Sequence, residues 1–316
     1  MSIIETLVEK FPIRKTKEQK AAFREWVTGW AQEQGYTANV ESKKGLFTSH
    51  NVVIGDPETA QVTFTAHYDT PAVMPLPNFI TPCNILVYLL YNVLVALLIL
   101  LVPAAVAALV GFVLPMLGVE KEAAAGIGGL AGFISVYAVL GVMMLGPANK
   151  HNVNDNTSGV AAVMELMMRL PQEQRAKTAF ILFDNEEKGM LGSNAYASQH
   201  KAVKKEKLII NMDCVGDGEH IMFFANKRTR NLPCFGSLEA AMQAQEGRVY
   251  HMNKLEKCIY PSDQASFKHG IAVCACNKMK AVGYYCDKIH TKKDTVCRQE
   301  NLDFLAGGLT DFVHSL

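Results

Sequence analysis

The chain has eight cysteines but no Cys-x-x-Cys pair, which argues against a thiolate zinc cluster or a dithiol redox motif. The thiols read as buried and free, as in a reducing compartment. Net charge is also missing: Lys plus Arg number 31 against 30 Asp plus Glu, a formal +1. Nothing global therefore points to nucleic acid as a partner. The opening MSIIETLVEKFPIRKTKEQK carries acids early and holds no continuous apolar core, unlike a secretory signal. The most informative absence is local. Thr70 to Val119 contains no Asp, Glu, Lys or Arg, and neither does Ala123 to Asn149; only Glu120, Lys121 and Glu122 stand between them.

A bilayer crossing needs about 20 apolar residues, and each uncharged stretch meets that length. Pro103 and Pro115 are expected to kink the first helix or end it early. In the second stretch, Gly126, Gly128, Gly129, Gly132, Gly141 and Gly146 allow helices to approach closely in lipid. Helices apolar on every side are unusual in a soluble domain, so a membrane-crossing hairpin through residues 85–146 is expected rather than a buried pair. A two-span hairpin returns the chain to its starting side. Lys150 beside the polar part, against Lys121 in the turn, points the polar part toward the cytoplasm.

Outside the hairpin the pattern alternates. Lys17 to Gln34 places Phe23, Trp26, Val27 and Trp30 at helical spacing and stops at Gly35. YTANVES, NVVIGD, QVTFTAHYD, KTAFILFDN and KLIINMD read as strands, and SGVAAVMELMMRL and LGSNAYASQH as helices. The expectation is an α/β three-layer sandwich, with a mostly parallel, mixed central sheet flanked by helices and the two-helix hydrophobic hairpin inserted. Residues 1–78 and 149–316 would form the two parts of one catalytic domain and residues 79–148 the insert. FILFD and LIINMD stay apolar until their last residue, as in central strands covered on both faces. In such sheets the ligand crevice lies beyond the strand carboxyl ends, which is where the acids fall.

Five polar segments sit at strand ends or in loops: HYD (67–69), NVNDNTSG (152–159), FDNEEKG (183–189), NMDCVGDG (211–218) and IHTKKDT (289–295). Singly, each has a plainer reading: a hydrogen-bonded core histidine, a helix cap at Asp155, a solvated turn at Glu186-Glu187. Together, two histidines and several carboxylates form a nitrogen-and-oxygen donor set suited to zinc.

In order and context these segments resemble the co-catalytic, two-zinc aminopeptidases, whose relatives include glutamate carboxypeptidase and the one-zinc glutaminyl cyclases. The matching features are H-x-D at a strand end, D-N-x-S-G opening a helix, a strand ending in E-E, a strand ending in D, and H-T-x-x-D-T near the carboxyl terminus. The resemblance implies one zinc on His67, Asp155 and Asp213 and another on Asp155, Glu187 and His290, with Asp155 bridging. It further implies that Asp69 orients His67, that Glu186 is the general base, and that the Asp155-Asn156 peptide is cis. In YPSDQASF, Tyr260 is the candidate to assist the oxyanion, with Gln264 where the family carries His.

The function implied is a membrane-tethered, zinc-dependent exopeptidase, an aminopeptidase acting on small peptides, with cobalt or manganese as possible substitutes for zinc. The alternatives are a zinc amidohydrolase of a non-peptide or lipid-linked amide, and a metal-free binding domain. One departure stands out: His67 and Asp155 lie 88 positions apart, where the resemblance implies a short loop. The insert thus falls at the rim of the expected crevice, where loops grow without disturbing a sheet.

Overall fold

A computed structural model describes residues 1–45, 47–74 and 76–316. Helix α1 (Ile3–Lys10) is closed by a capping box in which Ser2 and Glu5 satisfy each other's backbone amides. Thr16 and Gln19 repeat that device at α2 (Lys17–Glu33), whose face bearing Phe23 and Val27 is fully buried. The chain then forms β1 (Ala38–Lys43), β2 (Ser49–Ile54) and β3 (Val62–His67), and leaves the sheet for two long helices, α3 (Ile85–Met116) and α4 (Lys121–Leu145). It returns through α5 (Gly159–Arg169), β4 (Thr178–Phe183), α6 (Leu191–Gln199), α7 (Lys201–Glu206) and β5 (Leu208–Met212). The remaining elements are β6 (His220–Ala225), α8 (Lys227–Arg230), α9 (Phe235–Gln243), β7 (Val249–Lys254), β8 (His269–Met279), β9 (Gly283–Tyr285) and α10 (Gln299–His314).

The strands make one mixed sheet in the order β1-β2-β4-β3-β5-β8-β6-β7, with β9 paired to β8. At its centre β4, β3, β5 and β8 run parallel, and β3, β4 and β5 are buried along their whole length. The sheet is covered on both faces. One core packs Phe64, Phe180 and Ile210 against α2, α5 and α10; another packs Ile181, Phe183 and Ile209 against Tyr196 and Ala197 of α6. Because β3, β4 and β5 are parallel neighbours, the residues just past His67, Phe183 and Met212 emerge along one edge.

The hairpin rises from that same edge. Its base is clamped by backbone hydrogen bonds from Val73 N–H to Pro147 C=O and from Asn149 N–H to Pro71 C=O. Beyond the base, α3 and α4 touch little but each other, leaving Leu86, Leu101, Phe112 and Phe133 at least 60% exposed. At about 1.5 Å per residue, their 32 and 25 residues span roughly 48 and 37 Å. Both exceed a hydrocarbon core of about 30 Å. The expectation that proline would end the first helix early fails: α3 continues through Pro103 and ends only at Met116, one residue after Pro115. Each proline removes one amide donor, so the helix continues with one internal hydrogen bond fewer at each.

Candidate metal centre

Each of the five polar segments delivers its side chains to one pocket at the sheet edge. His67, the last residue of β3, is 1% exposed, and its Nε2 lies 3.3 Å from Asp155 Oδ1 and 3.7 Å from Asp213 Oδ1. The other oxygen of Asp155 faces the second histidine: Oδ2 is 3.1 Å from His290 Nε2, which is also 3.3 Å from Glu187 Oε2. Two groups of donor atoms therefore share Asp155, namely His67, Asp155 and Asp213, and Asp155, Glu187 and His290. Glu186 joins His67 and Glu187 in a third overlapping group.

Burial alone would lower the pKa of His67, but Asp155, Asp213 and Asp69 override it and raise the imidazole well above its usual value. Burial pushes Glu186 and Glu187 up, and neighbouring carboxylates add to the shift. Such a concentration of carboxylates around two imidazoles is chemically suited to a bound cation. Glu187 Oε1 is buried without a hydrogen-bond partner among the described residues, an orphaned acceptor that a cation would satisfy. The donor set fits zinc.

The surrounding shell holds these donors in place. Asp69 accepts from the amides of Glu186 at 3.0 Å and Glu187 at 3.3 Å, while its Oδ1 lies 3.5 Å from His67 Nδ1. The Asp69 carboxylate thus holds the Glu-Glu turn and lies beside His67, whose Nδ1 is paired with the Asp69 main-chain carbonyl at 3.2 Å. The Asp155-Asn156 peptide is cis. Asp294 accepts from the amides of Asn154 at 2.7 Å and Asp155 at 3.0 Å, and the Asn156 side chain ties this turn to Met212 and Cys214. Ser262 donates to Asp213 Oδ2. His290 and Cys214 flank the pocket with φ of +63° and +59°, a left-handed conformation that few non-glycine residues adopt.

Tyr260 lies on the pocket wall, stacked on Phe224, with its hydroxyl donating to the main-chain carbonyl of Asp213 at 2.9 Å. Gln264 donates to the carbonyl of Tyr260. Three supporting residues escaped the sequence reading. Arg14 is fully buried and donates to the carbonyls of Tyr68 and Phe11 and to the side chains of Asn152 and Thr157. Lys20 of α2 is buried against Asp184 and Asn185. Asp263, within the YPSDQASF segment, is fully buried, and both its carboxyl oxygens lack a partner among the described residues. Local pattern carried no signal for Arg14 or Lys20, whose partners lie 54 or more positions away apart from one local carbonyl contact.

The family model for peptidase family M28 matches residues 140–305. The chain belongs to peptidase family M28. No curated protein sequence matches it. Among solved structures, a glutaminyl cyclase from Porphyromonas gingivalis aligns with TM-score 0.62 at 14% identity, covering 99% of this chain and 96% of that one. A Zn-dependent exopeptidase from Parabacteroides distasonis gives 0.59 at 13% identity, with 99% and 96% covered. The LapA aminopeptidase of Legionella pneumophila gives 0.56 at 16%, with 99% of this chain and 69% of that one. At such identities these structures speak to fold. This M28 member has a zinc-exopeptidase-like fold, and its buried His/Asp/Glu cluster could hold metal.

Proposed function

We propose that this M28 protein is a two-zinc exopeptidase of the aminopeptidase type, tethered to a membrane by α3 and α4 with its catalytic part on the cytoplasmic side. The observation that carries the reading is Asp155, whose two oxygens face different histidines. His67, Asp155 and Asp213 would hold one ion, and Asp155, Glu187 and His290 the other. Zinc so bound supplies Lewis acidity toward a carbonyl and makes water nucleophilic near neutral pH.

The protein's own residues do the rest. Glu186, whose amide is pinned by Asp69, takes the proton of the attacking water on its carboxylate and returns it to the leaving amine nitrogen as the C–N bond breaks. Asp69 keeps His67 and the Glu-Glu turn in register. Tyr260 would assist the developing oxyanion by releasing its bond to the Asp213 carbonyl. Residues 1–78 and 149–316 form the catalytic part on this reading, with residues 79–148 as the anchor.

The test is zinc content and turnover on one set of samples: wild type, Asp155→Ala and Glu186→Gln, each given aminoacyl amides and a peptide with amino-terminal glutamine. About two zinc and aminoacyl release are expected for wild type. Asp155→Ala should lose both, whereas Glu186→Gln should keep zinc and lose about 10²–10⁴-fold in rate. Ammonia release from the glutamine peptide without peptide cleavage would make the protein a cyclase instead. Near-normal turnover in Glu186→Gln would remove Glu186 as the base.

A further inference from the structure

The pocket around Asp155, Glu186 and Asp213 is small, about 150 Å³, well below the roughly 300–1,000 Å³ usual for a ligand site. Two of its wall residues, Asn78 and His290, also form the floor of a second cavity of about 660 Å³ that reaches up between the hairpin helices, bounded by Val95 and Ile99 of α3 and Ala138 and Val142 of α4. The helices meet closely further from the sheet. An added Cβ on Gly128 would come 2.6 Å from the Ala107 carbonyl oxygen, and one on Gly132 would come 2.9 Å from Ala107 Cβ. Nearer the catalytic part they stand apart around the cavity.

The cavity lining suits one chemistry. Apart from Asn78 and His290 on its floor, its polar side chains donate to nearby backbone: Tyr91 to the Pro77 carbonyl at 2.7 Å, Asn92 to Tyr88 at 2.8 Å and Ser135 to Gly132 at 2.8 Å. The segments that build its walls carry no charged residue. A peptide tail would bring unpaired amides and a charged terminus into such a space, at a large desolvation cost. A hydrocarbon chain brings neither.

We propose that this cavity receives a long alkyl chain attached to one side of the amide that the metal pocket hydrolyses, so that the substrate is a lipidated amide rather than a free short peptide. The proposal rests on the hydrolase reading above. Water adds to the amide carbonyl, the C–N bond breaks, and the amine leaves with the proton from Glu186. On the aminopeptidase reading the chain belongs to the amine half; cleavage of the N-acyl series instead would replace that reading with an amidohydrolase.

Full-length zinc-loaded protein would be assayed with leucine n-alkylamides and with N-acyl-leucines, from four to ten carbons, below their micelle concentrations. The ratio of kcat/KM for ten carbons to that for four is read within each protein, which cancels any general loss of activity. A ratio of at least tenfold in one series is expected, since each buried methylene favours binding by roughly threefold to fourfold before losses to detergent. That series also tells which half carries the chain. Ala138→Trp, which obstructs part of the cavity, should lower the ratio. A flat series in wild type, or an unchanged ratio in Ala138→Trp, overturns the proposal.

If zinc-loaded wild type cleaves neither leucine amide nor any member of either series, the hydrolase reading fails, and with it the substrate assignment. Whether the cavity takes alkyl chains is read separately by photolabelling with palmitic acid bearing a terminal diazirine. Label on Val95 or Ile99, both half-buried between the helices, supports occupancy. Label confined to outward residues such as Phe112 and Phe133 refutes it.

Discussion

Replacing Asp69 with Asn changes one atom type and one charge, yet it should reach both proposed metal positions at once. The Asp69 side chain is about 5% exposed and takes part in three interactions: two accepted amide hydrogen bonds, from Glu186 and Glu187, and a 3.5 Å approach to His67 Nδ1. Asparagine keeps a single acceptor oxygen. Whichever way the amide turns, its NH₂ faces the N–H of Glu186 or of Glu187, so one charge-assisted bond of about 1.5–3 kcal/mol is lost and the other becomes neutral. Part of this will be absorbed by movement of the Glu-Glu turn. The part expressed at the metals should match what outer partners of metal ligands usually carry, about 10–100-fold in affinity or activity. Zinc affinity would be measured by competition with a chelating dye, alongside kcat/KM on an aminoacyl amide. Both should fall by that factor, with Asp69→Ala at least as severe because it leaves two buried amides without an acceptor. A change of less than threefold in both would exclude this role for Asp69. Lost stability with unchanged zinc affinity would reduce Asp69 to a structural brace.

Other perturbations test other parts of the argument. Gly132→Leu should destabilise the hairpin by about 1–3 kcal/mol, because its Cβ meets Ala107 and the Pro103 carbonyl, whereas Gly129→Leu, with nothing within 4 Å of its added Cβ, should leave the melting temperature unchanged. Arg14→Met leaves several buried acceptors without their donor and should cost about 3 kcal/mol or more in denaturant unfolding. Burial raises the Asp263 carboxyl to about 7. The folded protein then holds a proton that the unfolded chain releases near the ordinary Asp value of about 3.9, so this group makes stability fall as pH rises between the two. In metal-free protein, Asp263→Asn should therefore gain on wild type as pH rises from about 4 to about 7. A difference independent of pH in thermal unfolding would show that Asp263 does not hold that proton.

The sequence by itself was enough to locate the polar segments, the central strands and the uncharged hairpin, because each is written in contiguous residues. FILFD and LIINMD are apolar runs ended by an acid, and a parallel sheet covered on both faces requires just that pattern. The hairpin declares itself by fifty uncharged residues from Thr70 to Val119. Of the two outcomes expected of proline in α3, a kink or an early end, the early end does not occur: the helix runs through Pro103 to Met116. Tertiary structure alone decided which donors face one another. Asp155 meets His67 and His290 across 88 and 135 positions, and only parallel β3 and β5, with the loop before α10, set the 3.3 and 3.1 Å separations. It alone showed Asp69 serving the Glu-Glu turn as well as His67, and buried Arg14, Lys20 and Asp263. The apolar space over His290 depends likewise on where two helices touch and where they part. Local pattern reports which face of an element is apolar, but distances between elements arise from packing, which no short window of sequence contains.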